Sequence, residues 1–425
     1  MATIVFRGDA AAVAQQVTCT VGGTVEVGDI FKITIGSKTL AYAAASTNVD
    51  SVAAGIASAF AALSTTSYPE FTGATTGITA VALGSGGQLT LTAKTAGVPF
   101  TVTLSTTESD GSAADAQTFT QTTNVANAGP NDLSTAANYS GGALPTGGDD
   151  LVFENSAVDL LYSLATLSAV TLNSLTIRQS YTGKIGLPRS NAAGYFEYRQ
   201  QYLAVAATSI NIGQGEGAGS GRIKLDTGSV QTTINVFNSG NAAESGLKSV
   251  LWKGTHAGNV INVSKGSFGA AVFGGEQATI STLRQGFRTN PAGDSDVFLG
   301  TGCTLTNLEK SGGTLEVSSN FTNLTQSAGE TTLNSGSPGT IELSGGQLRY
   351  RSASGATTIN VADGAELDFR PDMRAKTIGA VNLYSGAILR DPFQVATATS
   401  GYVLKNCQLK DVTLDVGTDI TLNRA

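Results

Sequence analysis

Short stretches in which apolar and polar residues alternate recur along this chain of 425 residues. A period of two predicts β-strands with one buried face. Near the start of the chain the alternation covers residues 3–6, 16–21, 30–35 and 38–43, and a hairpin with a glycine-rich turn is expected at 78–93. The sequence therefore predicts a small β-sheet at the beginning of the chain.

One segment of this region has helical spacing instead. Apolar residues recur every three or four positions between 52 and 63, and Asn48 stands where a helix N-cap is expected. Tyr68-Pro69 ends the segment, and a last strand is predicted at 100–104. Residues 1–128 are thus predicted to form a small β-rich domain with one helix.

The remainder of the chain has a looser, longer period. Residues 105–150 are rich in Ser, Thr, Asp, Asn and Gly and are predicted to be a boundary of turns and loops. From about residue 151, short strands alternate with Gly, Asn or Asp turns. In the C-terminal part the turn glycines recur at a roughly regular interval, at Gly313, Gly329, Gly346, Gly364, Gly386 and Gly401.

This period predicts a solenoid of parallel strands, with one winding per repeat. We therefore expect a mainly β protein in which the small sheet-plus-one-helix domain precedes a parallel β-helix or solenoid-like region. Residues 129–300 are expected to be a repetitive β-rich domain, and residues 301–425 the C-terminal solenoid windings. The alternative is a tandem pair of antiparallel β-sandwiches, whose turns would come every ~8–12 residues.

Charged residues are scarce, which narrows the classes of partner. Asp, Glu, Lys and Arg make up 13% of the chain, against ~25% in a typical globular domain. A net charge of −7 and the absence of a basic stripe argue against a nucleic-acid partner. The sequence has neither a basic and apolar leader nor an apolar run of ~20 residues, so neither a signal peptide nor a membrane span is predicted.

Little in the sequence suggests a metal or cofactor site. Cys19, Cys303 and Cys407 are odd in number and far apart, so we expect buried free thiols, with a Cys303–Cys407 approach as the alternative. The single histidine, His256, leaves little room for a metal site or a catalytic triad. Turn aspartates could hold calcium, but no calcium-binding motif is present. The glycine-rich stretch 213–221 lacks phosphate-loop spacing and is predicted to be a loop.

Paired carboxylates are the serious enzymatic possibility, because a glycosidase needs two carboxyl groups ~5–10 Å apart. The candidate pairs are Asp149 with Asp150, Asp294 with Asp296, and Glu366 with Asp368. Most of these carboxylates lie in turn-like sequence contexts, where an Asp side chain commonly forms a hydrogen bond with its own backbone. Aromatic platforms for sugars are few, with Trp252 the one tryptophan. We expect no catalytic residues.

The most distinctive local feature is the aromatic segment 195–203. Its candidate site residues are Tyr195, Phe196, Tyr198, Arg199 and Tyr202. A core-facing strand is one interpretation. A subunit interface is the functional interpretation, since Tyr and Arg are enriched at the centres of protein–protein contacts.

The first domain resembles a module that recurs in virion proteins of tailed phages. The resemblance lies in the order Val25-Glu26-Val27-Gly28-Asp29, the strand 31–35, the Ala-rich helix 52–63 and the segment 89–100. Residues 136–153, with Ala137-Asn138-Tyr139-Ser140-Gly141-Gly142, resemble the entrance to many bacterial and phage parallel β-helix domains.

The resemblance implies a non-enzymatic structural protein of the virion, assembled in the host cytoplasm, with no catalytic residue to carry over. We expect a capsid decoration or cement protein, trimeric, whose partners are its own copies and the major capsid protein or other virion proteins. One alternative is a tail or head fibre or spike that binds a host-surface glycan. The other is a β-helix enzyme that degrades polysaccharides.

Overall fold

The computed structural model describes residues 2–191, 194–286, 295–418 and 420–424. The protein is mainly β, and its buried apolar residues form two separate cores. The buried residues of the smaller core lie between Val17 and Phe119, while the larger core runs from Phe6 through to Leu404. No helix in the described ranges has the length and apolar character needed to cross a membrane.

The elements of the first part are β1 (Thr3–Phe6), β2 (Gln16–Gly23), β3 (Ile30–Ile35), β4 (Lys38–Ala43), α1 (Val49–Ala61), α2 (Pro69–Thr72), β5 (Ile78–Ala82), β6 (Gln88–Ala93), β7 (Thr103–Thr107) and β8 (Gln117–Val125). One antiparallel sheet has the order β5-β6-β2-β8, and a second has the order β4-β3-β7. Helix α1 begins after Asn48, whose Oδ1 accepts a hydrogen bond from the Ser51 amide at 2.9 Å, as the sequence predicts. Its buried residues Val52, Ile56 and Phe60 pack into the small core.

Two sequence-based expectations for this domain are wrong. The last strand was expected at 100–104, but β7 begins at Thr103, because Phe100 and Val102 turn into the core ahead of the strand. Strand β8 lies in the segment predicted to be loops. It pairs antiparallel with β2 in the register Thr20↔Thr120, and it buries Gln117 and Phe119.

Strand β1 does not belong to this domain's sheets. It pairs in parallel with β9 (Asp150–Phe153), with Phe6 opposite Phe153 and their ring centroids 5.0 Å apart. Tyr139 packs edge-on against Phe6 at 5.7 Å. The small domain, β2 to β8, is therefore an insertion between two adjacent strands of the parallel region, and we call it the inserted domain.

The parallel region consists of β1 and of the strands after the inserted domain. After β9 these are β10 (Thr171–Arg178), β11 (Leu203–Ala204), β12 (Ala206–Gln214), β13 (Ile223–Asp226), β14 (Thr233–Val236), β15 (Val250–Lys253), β16 (Val260–Val263), β17 (Gly266–Ala270), β18 (Ala278–Gln285), β19 (Ser295–Leu299), β20 (Cys303–Val317), β21 (Asn320–Leu333), β22 (Pro338–Leu343), β23 (Gln347–Tyr350), β24 (Thr358–Val361), β25 (Glu366–Asp368), β26 (Lys376–Ile378), β27 (Ala380–Leu383), β28 (Ile388–Asp391), β29 (Ala396–Ala398), β30 (Tyr402–Leu404), β31 (Thr413–Val416) and β32 (Leu422–Arg424). Two short 3₁₀ helices lie at Ala136–Asn138 and Leu409–Asp411.

The strands of this region pair in parallel with their counterparts further along the chain, so the backbone forms a series of stacked windings. One sheet, which we call the ladder sheet, contains β1, β9, β10, β12, β14, β16, β18, the first parts of β20 and β21, and then β22, β24, β27, β30 and β32. The other, the ionic sheet, contains β11, β13, β15, β17, β19, the last parts of β20 and β21, and then β23, β25, β28 and β31. Every pairing between named strands described here is parallel, as in a solenoid, and this does not fit tandem antiparallel sandwiches.

One inward-facing row of the ladder sheet shows how the winding length changes. The row is Ile210, Ile234, Ile261, Leu283, Leu308, Leu324, Ile341, Ile359 and Val381, all fully or almost fully buried. Successive members are further apart in sequence before Leu308 than in the windings from Leu308 to Ile359. These short windings advance by the same steps as the glycines from Gly313 to Gly364, so they match the predicted glycine period. The strand pairing also runs without a break across the boundary predicted at residue 300.

The glycines of the short windings stack at one corner. Gly313, Gly329 and Gly346 have φ of +69°, +80° and +73°. A Cβ added to Gly329 would collide with the Gly313 carbonyl oxygen, and one added to Gly346 would collide with that of Gly329. The corner therefore needs glycine both for its left-handed backbone and for the close approach of successive windings.

We expect Gly329→Ala to lower the free energy of unfolding more than Gly364→Ala does. Gly364 has a similar φ of +83°, but a Cβ added there would meet no other atom, so its substitution carries only the ~1–2 kcal/mol cost of a left-handed alanine. Gly329→Ala adds a backbone collision, costing about 1–3 kcal/mol more. Urea midpoints measure both variants. Equal midpoints would contradict the stacking of these corners.

Candidate functional site

The aromatic segment predicted as a site is a loop between β10 and β11, so the predicted core-facing strand is wrong. Two of its side chains, Tyr198 and Arg199, contact the inserted domain. The Tyr198 ring packs on the smaller core and lies against Gly36. The Arg199 Nη1 donates a hydrogen bond to the Pro99 carbonyl oxygen at 3.1 Å. The segment therefore joins the inserted domain to the parallel region.

Arg199 is the centre of this junction. Its guanidinium lies over the Tyr162 ring at 5.0 Å and the Tyr198 ring at 5.5 Å from the centroids. It also forms a two-pronged ion pair with the buried Glu197, Nε to Oε1 at 2.7 Å and Nη2 to Oε2 at 2.8 Å. Burial alone would lower the pKa of Arg199, but the hydrogen bonds and charge of Glu197 raise it. The ion pair orients the Arg199 guanidinium for its hydrogen bond to Pro99 across the junction.

The other predicted interface residues differ in exposure. Tyr195 is buried and stacks on Tyr198 with ring centroids 6.1 Å apart. Tyr202 is buried beneath the Lys253 ammonium, which lies 4.9 Å from its ring centroid. Phe196 is 66% exposed, beside the Arg189 guanidinium at 5.3 Å. Of the five residues, Phe196 alone is left to meet another chain, and a subunit contact there stays a prediction.

The carboxylates of Asp149 and Asp150 are held by hydrogen bonds. Asp149 Oδ1 accepts from the Ala2 amide at 2.8 Å, and its Oδ2 accepts from Thr146. Asp150 Oδ1 accepts from Ser174 and Asn173 at 2.5 and 2.7 Å. These hydrogen bonds lower the pKa of both groups, whereas a glycosidase acid needs a raised pKa.

The remaining carboxylate candidates form ion pairs. Asp296 Oδ2 lies 2.5 Å from Lys248 Nζ, and its predicted partner Asp294 lies outside the described residues. Asp368 pairs with Arg370 at 2.8 Å, and Glu366 lies 3.5 Å from the Arg390 guanidinium. These contacts tie neighbouring turns and windings together.

The cysteines and the histidine have structural contacts. All three cysteines are free, so the Cys303–Cys407 alternative is wrong. The Cys303 Sγ donates to the Ala270 carbonyl oxygen at 3.3 Å, and the Cys407 Sγ donates to that of Leu383 at 3.4 Å. Burial raises the pKa of the Cys303 thiol to about 12. His256 Nδ1 accepts from the Gly258 amide at 3.0 Å. Within the described ranges, no three His, Cys, Asp or Glu side chains converge on a metal position.

A buried lysine was missed by the sequence reading. Lys310 occupies an inward row of the ladder sheet between Gln285 and Gln326, and all three are buried. Its Nζ donates to the carbonyl oxygens of Gly312 and Gly313. Burial lowers the pKa of Lys310 to about 7, against the opposing charge of Glu330. The signal was present, since Lys310 follows Leu308 by two positions and so shares its buried face.

The two sheets present different outer surfaces. On the ladder sheet, asparagines bond to each other across windings, with Asn235 Nδ2 to Asn211 Oδ1 at 3.0 Å and Asn262 Nδ2 to Asn235 Oδ1 at 2.8 Å. The same bond joins Asn323 to Asn307 at 3.0 Å. The two central outward rows from β10 to β27 consist of Ser174, Thr176, Ser209, Asn211, Thr233, Asn235, Val260, Asn262, Thr282, Arg284, Asn307, Glu309, Asn323, Thr325, Thr340, Glu342, Thr358, Asn360, Ala380 and Asn382. Only three of these twenty are charged, and two of those, Arg284 and Glu309, pair with each other at 2.9 Å.

The outer surface of the ionic sheet carries charges that pair across windings. Arg349 lies 2.5 Å from Glu330 on the preceding winding. Arg390 contacts Glu366 at 3.5 Å and Asp415 at 3.8 Å, and so joins three windings. The charge-poor and charge-rich faces are therefore separated on opposite sheets.

Comparisons with protein families, with curated proteins and with solved structures gave no match.

We expect Tyr198→Ala to destabilise the protein by roughly 2 kcal/mol and to loosen the junction, because the ring packs on the smaller core. The matched control, Phe196→Ala, removes an exposed ring from the same loop and should stay within about 0.5 kcal/mol of wild type. Thermal unfolding and limited proteolysis measure both effects. Similar losses in the two variants would rule out the assigned junction contacts.

Lys310→Met should change how stability depends on pH. In the wild type the unfolded lysine takes up a proton below its ordinary pKa of 10.5, while the folded one does so only near 7. The contribution of Lys310 to the free energy of unfolding of the wild type therefore falls as the pH drops from about 10 to 7 and is constant below pH 7. As the pH drops through the same window, the free energy of unfolding of Lys310→Met should rise relative to that of wild type. Urea unfolding at pH 7 and pH 10 tests this, and a pH-independent difference would show that Lys310 is not buried as described.

Proposed function

We propose that this chain is a non-enzymatic structural protein of a virus particle, a capsid decoration or cement protein that acts as a homo-oligomer. In this proposal the parallel region is a rigid β-helix. The observation that carries the proposal is the asymmetry of its two sheets. One outer face is almost uncharged along its two central rows, and the other carries the ion pairs.

The ladder sheet has the surface chemistry that close packing of subunits requires. Removing a charge from water costs several kcal/mol per ion unless it is well paired, whereas a Ser, Thr or Asn side chain costs far less. The asparagine ladder already satisfies part of its own hydrogen bonding through bonds such as Asn235 to Asn211. Copies that meet through this face, three around a threefold axis in this proposal, would bury few charges, which supports contact between copies through the ladder sheet.

The inserted domain is the candidate for attachment to the shell. It is inserted between β1 and β9, which pair at the start of the parallel region. The hydrogen bond from Arg199 to the Pro99 carbonyl oxygen and the Tyr198 ring on the smaller core attach it to the parallel region. This attachment supports a cement role, because a contact between the inserted domain and the major capsid protein would then restrain the whole trimer. The resemblance of this domain to phage virion modules supports the same partner.

The location on a particle can be tested by quantitative mass spectrometry of purified virions. A decoration protein should be present at a copy number comparable with that of the major capsid protein. A copy number confined to one vertex or to a tail tip would overturn the cement role in favour of a fibre or spike. Absence from the particles would overturn the virion assignment altogether.

We expect Asn235→Lys to break the oligomer. The substitution places a charge in the middle of the ladder face, between Asn211 and Asn262. The matched control is Thr332→Lys, at an outward position of the ionic sheet beside Glu316 and Arg349. Light scattering coupled to size-exclusion chromatography should show a trimer for wild type and control, and monomer for Asn235→Lys. An unchanged Asn235→Lys trimer, or a monomeric wild type, would contradict contact through this face.

A further inference from the structure

A cleft opens where the inserted domain meets the parallel region. Its volume is about 350 Å³, within the ~300–1,000 Å³ of typical small-molecule sites. The inserted domain contributes Thr101 to its wall, and the parallel region contributes the turn 161–166 and the segment 198–200. Junctions between domains are a preferred place for ligand sites, because neither domain alone closes the concave surface.

The cleft carries no unbalanced charge. Arg199 is the one charged residue among its described lining residues, and both of its carboxylate bonds go to the buried Glu197. A charged ligand would therefore find no counter-ion here, and removing it from water would be costly. The flanking rings of Tyr162 and Tyr198 add apolar surface next to this neutral pair.

The rim of the cleft offers hydrogen-bonding groups in a fixed arrangement. The hydroxyl groups of Thr101 and Ser163 and the amide of Gln200 all belong to exposed residues. The Gln200 Nε2 donates to the Tyr202 carbonyl oxygen at 2.9 Å, which orients this amide. Ser163 has φ of +54°, a conformation that costs a residue other than glycine about 1–3 kcal/mol. The Thr166 hydroxyl donates to the Ser163 carbonyl oxygen at 2.7 Å and holds this turn. Backbone strain of this kind concentrates at functional sites.

We propose that this cleft binds a neutral saccharide of one or two sugar units. Sugar hydroxyl groups match the hydroxyl and amide groups of the rim, which both donate and accept hydrogen bonds. The apolar C–H groups of a sugar match the aliphatic side chains of Leu161 and Ala165 in the cleft lining. An uncharged ligand suits a site in which the charge of Arg199 is already paired with Glu197. A purely apolar ligand would leave the rim groups without partners. This proposal does not depend on the assembly role, since it rests on the junction and not on the ladder sheet.

The test measures the binding of lactose, maltose and cellobiose to the full chain by saturation-transfer NMR and by calorimetry. Sialyllactose, the anionic derivative of lactose, and a short neutral peptide are included for comparison. Two variants remove exposed rim groups, Gln200→Ala and Ser163→Gly, the second of which also relieves the left-handed backbone. The matched control is Gln277→Ala, an exposed glutamine outside the cleft. Thermal melting establishes that each variant is folded.

The expected result is saturable binding of at least one neutral disaccharide, weakened about tenfold by Gln200→Ala and by Ser163→Gly, and unchanged by Gln277→Ala. The proposal is overturned if none of the three disaccharides binds, or if binding is the same in the rim variants. It is also overturned if only sialyllactose or only the peptide binds. Trimer formation is measured separately by light scattering. A failure of sugar binding can therefore be distinguished from a failure of trimer formation.

Discussion

The parallel stacking of windings is the constraint on which the rest of this structure depends. A single winding cannot bury its own apolar face, so each inward residue must lie on its counterpart in the next winding. Ile210, Ile234 and Ile261 show the apolar form of this rule. Lys310 shows a polar form, since it lies between Gln285 and Gln326 on the neighbouring windings and a lone buried amine would lack partners. The corner glycines follow from the same rule, since consecutive backbones approach too closely there for a Cβ.

This constraint decides where function can lie. The inward rows and most backbone groups are taken up by stacking, which leaves the outward rows, the turns and the insertion. The outward rows repeat one residue above another, so a chemical character established on one winding extends along the face. That repetition gives the ladder sheet its uncharged surface and the ionic sheet its cross-winding pairs. The inserted domain is not part of the repeat, and at its junction Arg199 lies against the rings of Tyr162 and Tyr198.

The sequence predicted the features that depend on single residues and their neighbours in the chain. The helix after Asn48 and the short windings at Gly313, Gly329 and Gly346 follow from capping and from positive φ, which single residues control. The features that the sequence did not predict depend on contacts with residues that are distant in the chain. Strand β8 is mostly Thr and Gln and is recognisable as a strand only because β2 lies beside it. The aromatic segment alternates like a strand, yet its conformation is determined by the inserted domain, which lies far from it in sequence. The contrast between the two sheets also stayed hidden, since it requires the register between successive windings, whose lengths vary along the chain.

The candidate carboxylates of this chain are held by contacts within the scaffold. A general acid or base needs a carboxyl group whose pKa is shifted toward neutrality by burial without a partner. Asp150 has the opposite environment, since hydrogen bonds from Ser174 and Asn173 lower its pKa, while Asp368 forms an ion pair with Arg370. The contacts of Asp150 join neighbouring windings and that of Asp368 holds a turn, so both carboxylates contribute to the scaffold. Lys310, whose pKa burial lowers to about 7, is likewise held within the stack, where its Nζ donates to two backbone carbonyl oxygens. These groups therefore serve the stacking of the windings, which agrees with the proposal that the chain acts through its surfaces.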